Sequence, residues 1–164
     1  MLKKIYKLNN IDFWKFLDSR NLTFNRKKMI NSKKINLIDH TIWWFNNTRE
    51  IYFYKIDSCK KIYFWQQLIK VNKKKFFIGG WHSNSNKINL FHVIYVLKWQ
   101  LSDNKKKNRN FNWIAVVKKN NQWVLKLTNY LGYKKISKFH KDYKTIKNCF
   151  KVNDKDFYFL LQKN

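Results

Sequence analysis

The stretch Phe76-Phe77-Ile78-Gly79-Gly80-Trp81-His82-Ser83-Asn84-Ser85-Asn86-Lys87-Ile88-Asn89 decides how this chain is read. It opens as a short apolar run that ends in two of the chain's three glycines, as a bulged or sharply leaving strand does. A polar loop, His82 to Asn86, follows. Then Ile88, Phe91, Ile94, Tyr95, Leu97, Lys98 and Leu101 recur at helical spacing, with Asn86 or Asn89 as the cap. A strand, a polar loop and a long apolar helix are one repeat of an α/β layout.

Working outward, the rest of the chain agrees. Residues 1–8 alternate apolar and basic and read as a strand through Leu2, Ile5, Tyr6 and Leu8. Asn10 is placed to cap a short helix, Ile11 to Ser19, with Phe13, Trp14, Phe16 and Leu17 as its stripe. Residues 20–34 read as polar loop. Asn36 caps a second helix with Asp39 in its first turn and Ile38, Ile42 and Phe45 as its apolar face. Ile51–Ile56 and Ile62–Val71 form a hairpin about Asp57–Lys61. Beyond the long helix come a basic loop, Asp103 to Asn110, and a buried-type strand, Phe111 to Val117. A helix capped by Asn120 or Asn121 runs to Tyr130, with Gly132 at its C′ position. Tyr133–Phe139 and Phe157–Leu161 are the last strands. The expectation is one α/β domain over residues 1–164, a mixed central sheet with helices on both faces.

Composition bounds the function. The chain has 164 residues and a formal net charge of +27, the signature of a nucleic-acid partner. That charge comes from 32 Lys and only four Arg, beside 22 Asn, one Ala and one Glu. Lys, Asn, Ile, Phe and Tyr are residues of A/T-rich codons, so an A/T-biased genome accounts for most of it. A dedicated nucleic-acid binder favours Arg, whose planar fork holds phosphate and stacks on bases. Cys59 and Cys149 are far apart and support neither a disulfide framework nor a zinc site. No apolar run approaches a membrane span, and the first residues carry no apolar signal core, so the location expected is cytoplasmic.

Two stretches carry a family resemblance. Arg20-Asn21 closes the first helix, and His40-Thr41-Ile42-Trp43-Trp44-Phe45 lies on the second. Asn121-Gln122-Trp123-Val124-Leu125-Lys126-Leu127-Thr128-Asn129-Tyr130-Leu131-Gly132-Tyr133 is the late helix with its terminal glycine. Together these resemble the GCN5-related N-acetyltransferases (GNAT), in the branch that acylates amino sugars for surface polysaccharide or flagellin. The resemblance implies an acyl-CoA-dependent N-acyltransferase with acetyl-CoA as cofactor and a small-molecule amine as substrate. It implies substrate contacts at Arg20, Asn21, His40 and Trp43. It places the cofactor on Ser83, Asn84, Ser85, Asn86, Lys87, Ile88 and Asn89, with Asn121 on the late helix.

The departures are specific. The family cradles pyrophosphate with a glycine-rich loop, because backbone N–H groups must come close to phosphate at a helix start. Here that loop is written in Ser, Asn and Lys. The family often has a tyrosine acid four residues before the late glycine, where this chain has Thr128. A base must deprotonate the attacking amine. His82, at the strand exit, and Glu50, the only Glu, are the candidates. His92 reads as a core or boundary residue and His140 as a surface one. The runs Lys73–Lys75 and Lys105–Lys107 read as solvated turns. Two rival readings stand beside the enzyme: a degenerate binding protein of the same fold, and a nucleic-acid-associated protein.

Overall fold

A computed structural model describes residues 4–71, 73–107, 109–150 and 152–163. Seven strands are hydrogen-bonded in the order β1-β2-β3-β4-β5-β7-β6. They are β1 (Ile5–Lys7), β2 (Glu50–Lys55), β3 (Lys61–Val71), β4 (Lys74–Ser83), β5 (Trp113–Lys118), β6 (Lys134–Lys135) and β7 (Phe157–Gln162). The helices are α1 (Phe13–Asn21), α2 (Thr23–Arg26), α3 (Leu37–Asn46), α4 (Leu90–Lys106), α5 (Gln122–Tyr130) and α6 (Tyr143–Phe150). Among the described residues, no helix is long and apolar enough to cross a membrane. The chain packs as two compact units.

The first unit takes Met1–Gln67 and Gly80–Trp99. β1 pairs antiparallel with β2 at Ile5↔Tyr54, and β2 with β3 from Glu50↔Gln66 to Lys55↔Lys61. Strand alternation sends Tyr63 and Trp65 to one face and Phe64 and Gln66 to the other. On the first face Leu8, Phe16, Trp44, Ile51 and Tyr63 form a core, with Phe13, Trp43, Phe53 and Trp65 packed against it. On the second, Tyr52 stacks on Phe64 and both meet the edge of Trp99 from α4, at 5.2 and 5.7 Å between centroids.

The second unit takes Leu68–Gly79 and Gln100–Asn164. β4 runs parallel to β5 at Phe77↔Trp113 and Ile78↔Ile114, and β5 antiparallel to β7 from Trp113↔Gln162 to Lys118↔Phe157. Phe76, Ile114, Ile136, Ile146, Phe159 and Leu161 are its core. Gly132 ends α5 at φ +83°, a conformation glycine adopts without a Cβ penalty.

Several expectations are corrected. Leu2 of the first strand lies outside the described residues. Asn9, not Asn10, caps the turn before α1, and Asn10 instead accepts from Trp44 Nε1 at 3.0 Å. Residues 20–34 are not all loop, because α1 reaches Asn21 and α2 follows. Asn25 on α2 donates to Ser19 O and Ser83 O, both at 2.7 Å, and that anchors the short helix. The apolar face of α3 is reversed: His40 and Trp44 are buried, while Ile38, Ile42 and Phe45 are 71, 58 and 66% exposed. Aromatic contact decides this, since His40 and Trp44 both lie on Phe13 and Phe16. α4 continues to Lys106, helped by a Lys107–Asp103 pair at 2.6 Å. Only Lys134–Lys135 of the expected Tyr133–Phe139 strand forms. α6 was not expected at all.

β4 also runs unbroken through Gly79 and Gly80, without the expected exit. Gly80 serves a different need. A Cβ there would lie 2.8–2.9 Å from Nε1, Cε2 and Cζ2 of Trp65. The bare backbone lets the indole lie across the neighbouring strand. Gly80→Ala is therefore predicted to destabilise by about 1–3 kcal/mol through overpacking. A lower urea midpoint at unchanged m-value is the expected readout, and an unchanged midpoint would refute the close fit.

Candidate functional site

The loop between β4 and α4 is short of glycine but not short of donors. Asn84 closes its start: the side chain accepts from Lys61 N–H at 2.8 Å and donates to Cys59 O at 2.7 Å. Ser83 donates to Ser85 O, and Lys87 N–H donates to Ser85 Oγ. Asn89 caps α4 by accepting from Phe91 N–H at 2.9 Å. Among the described residues, the N–H groups of Ser85, Asn86, Ile88, Asn89 and Leu90 have no acceptor. The first four precede a 17-residue helix that Leu90 opens, and its dipole adds positive potential. No residue from 82 to 89 has a positive φ, so this backbone path is open to residues with a Cβ. These groups suit an anionic phosphate.

Arg20 and Asn21 act on the chain itself. Arg20 donates to Lys33 O and Asn31 O, at 2.5 and 2.7 Å. Asn21 accepts from Ile35 N–H and donates to Ile35 O, at 3.0 and 2.8 Å. Arg26 joins them through Asn21 O and Ser32 O. The three side chains hold the backbone of residues 31–35, which has little apolar burial of its own.

His40 and His82 lie in the aromatic core. His40 donates from Nε2 to Phe13 O at 3.2 Å, and burial lowers its pKa. His82 is 2% exposed. Its Nδ1 shares a 2.9 Å hydrogen bond with Ser19 Oγ, while its Nε2 is buried without a partner. Phe16 meets its ring edge-on at 4.6 Å and Tyr63 stacks at 5.4 Å. Burial, aided by the charges of Arg20 and His40, pushes its pKa down to about 3. This geometry does not suit the expected general base, which must be reachable and must carry a proton.

Glu50 accepts from Tyr52 O–H and Gln66 Nε2, both at 2.9 Å on the same oxygen. It braces the face of the sheet on which Tyr52 and Phe64 meet Trp99 of α4. Thr128 donates its hydroxyl to the carbonyls of Val124 and Leu125, at 3.0 Å each, so it offers no proton to a leaving group. Burial raises the Tyr133 hydroxyl far above its usual range, which makes it a poorer acid. Asn121 is the N-cap of α5, accepting from Val124 N–H at 3.4 Å. His92 bonds Tyr54 O–H at 3.2 Å, and His140 accepts from Asp142 N–H.

The sequence reasoning passed over Arg49. Its guanidinium carbon lies 3.7 Å from the centroid of the Trp65 ring and 5.1 Å from that of Trp43. It borders a cavity of about 300 Å³ with Trp43, Thr48 and Gln67. The available signal was an arginine in a chain with four of them, next to tryptophan-rich segments. Among the described residues, no group of three or more His, Cys, Asp or Glu is placed to hold a metal.

No family model matches the sequence, and no curated protein is significantly similar to it. Solved structures are similar to it in backbone. Ribosomal-protein-alanine N-acetyltransferase from Brucella melitensis superposes with a TM-score of 0.69 at 12% identity, over 98% of this chain and 99% of that one. AAC(6')-Ib, in complex with ribostamycin and coenzyme A, gives a TM-score of 0.75 at 5% identity, over 98% and 93%. The GNAT domain of S. lividans PAT gives 0.64 at 9% identity, over 98% and 89%. The chain has the GNAT N-acetyltransferase fold.

The buried histidine makes stability pH-dependent. Unfolded, His82 binds a proton below about pH 6.5. Folded, it does so only near pH 3. Between these values the unfolded chain holds more protons, so stability is full above about pH 6.5 and falls as pH drops toward 3. His40 acts in the same direction. His82→Leu removes one such group, so its stability should fall less steeply with acid, by up to about 1.4 kcal/mol per pH unit. Urea unfolding from pH 7 to pH 4 measures both slopes. Equal slopes would show that His82 is not sealed.

Proposed function

We propose that this chain is an acyl-CoA-dependent N-acyltransferase that transfers an acetyl group to a small-molecule amine. The observation that carries the reading is the row of open N–H groups ahead of α4, in a chain with the GNAT fold. AAC(6')-Ib, of the same fold, was solved with coenzyme A and with acetyl-CoA, which supports the cofactor. The N–H groups of Ser85, Asn86, Ile88, Asn89 and Leu90 hold the pyrophosphate, and the Lys87 ammonium adds charge. Acetyl-CoA supplies the activated acyl thioester when bound.

The chain's own part is binding and orientation. His82 is sealed in the core and Glu50 is held by Tyr52 and Gln66, so the acceptor reaches the site already as the free amine. The amino-sugar acceptor implied by the resemblance rested on Arg20, Asn21, His40 and Trp43. Three of these hold a loop or fill the core, and Trp43 alone borders open space. The acceptor proposed is accordingly an amine without a sugar requirement.

Calorimetric titration with acetyl-CoA in 0.3 M salt is the test. Saturable one-to-one binding is expected. Asn86→Pro, which deletes one loop N–H, should weaken it at least tenfold, whereas Lys87→Gln should weaken it only a few-fold. No binding at millimolar cofactor would overturn the proposal. With saturating acetyl-CoA, the rate should rise with pH along the acceptor's own ammonium titration. A pH-dependence beyond the acceptor's own that Glu50→Gln abolishes would return Glu50 to the role of base.

A further inference from the structure

We propose that the cavity beside the C-terminal end of α3 is a carboxylate-binding site centred on Arg49, and that it receives a carboxylate carried by the acyl acceptor. The first half stands by itself. The second rests on the transferase reading above.

Arg49 is held in place and left open. Its flat guanidinium stacks on Trp65 and lies beside Trp43. The Arg49 backbone N–H donates to Asn47 Oδ1 at 2.8 Å, and its side-chain Nε donates weakly to Gln67 Oε1 at 3.4 Å. Neither terminal nitrogen has an acceptor among the described residues. Arg20 and Arg26 differ, for both place terminal nitrogens on backbone carbonyls. The adjacent Glu50 offers no pairing. Successive strand residues point to opposite faces, and Glu50 faces Tyr52 and Gln66.

Of the other polar groups that line the cavity, only Thr48 keeps a proton to give. Asn46 and Asn47 donate their amides to Ile42 O and Trp44 O. Thr48 Oγ1 accepts from Gln67 Nε2 at 2.8 Å, which leaves its own proton to give. The cavity therefore offers a guanidinium fork and a hydroxyl donor between apolar walls, Ile42 and Trp43. Burial lowers the Arg49 pKa to about 10, so the charge persists at neutral pH while its hydration is thin.

That set fits a carboxylate better than a phosphate. A planar fork meets a planar carboxylate with two parallel bonds. A phosphate dianion needs more than one charge, and among the described residues no lysine lines the cavity. The indole floor is anchored by the fit of Trp65 over Gly80, on the strand that leads into the loop at Ser85.

The test uses benzoate, its neutral isostere benzamide, and inorganic phosphate, each titrated in 0.2 M salt. Binding is followed at the indole N–H resonances of Trp43 and Trp65. Benzoate should bind saturably and benzamide should not. Arg49→Gln should weaken benzoate at least tenfold, Arg49→Lys and Thr48→Val several-fold, and Lys144→Gln, which removes the same charge elsewhere, not at all. Equal binding of benzamide, displacement of benzoate by equimolar phosphate, or an equal loss in Lys144→Gln would overturn the site. If Arg49→Gln does not fold, the Arg49→Lys and Thr48→Val losses decide. For the acceptor, acetyl transfer to glycine and glycinamide is compared. Arg49→Lys should raise KM for glycine while leaving glycinamide unchanged. Benzoate binding with equal KM effects on both amines would overturn the acceptor half and leave the site standing.

Discussion

The contact on which the first unit turns is the approach of the Trp65 indole to the bare backbone of Gly80. Because nothing projects from Gly80, a ring can lie flat where a side chain would ordinarily stand. Trp65 in turn gives Arg49 a surface to stack on, and Arg49 carries the plane toward Trp43 on α3. A single missing methyl thus orders three large side chains, from β3, from α3 and from the segment that enters β2. Cation–π contacts of this kind strengthen as water leaves, which keeps the guanidinium rigid while its ends stay open.

The same economy recurs with asparagine. In the described residues Asn9, Asn36, Asn89 and Asn121 each accept from an N–H at the start of a helix or turn. Asn84 closes the loop after β4, and Asn21 holds Ile35 from both sides. An asparagine-rich composition has been put to structural use, because the short amide both gives and accepts. The loop before α4 shows this most clearly. It keeps ordinary negative φ values, so it exposes N–H groups without glycine. Scarcity of glycine is no evidence against anion binding here.

Much of the fold was legible in the sequence. The 57–61 hairpin, the Asn36 and Asn121 caps, the Gly132 terminus and the long helix after Asn89 all follow from local chemistry. The errors arose where long-range packing overrode a local pattern. Ile38, Ile42 and Phe45 make a good stripe in isolation, yet the ring-on-ring contacts of His40 and Trp44 with α1 turned α3 over. α6 hides in a lysine-rich segment where only Tyr143, Ile146 and Phe150 keep helical spacing, and Ile146 is fully buried. The loop after β4 was legible as a loop, because position in the strand–loop–helix order is informative. The candidate site was illegible at Arg49, whose meaning depends on Trp65 and Gly80, residues remote in sequence. The burial of His82 was illegible for the same reason, since only the fold shows that Phe16 and Tyr63 cover it.

The overturned α3 leaves Ile38, Ile42 and Phe45 facing water, and that bears on the charge of +27. Apolar side chains on separate molecules attract at short range, whereas a dense shell of ammonium groups repels at longer range. At physiological ionic strength the repulsion reaches about 8 Å, and in molar salt only about 3 Å. The lysines then act as a colloidal stabiliser, keeping molecules dispersed that would otherwise adhere through α3. Read this way, the excess charge is a property of the protein in suspension.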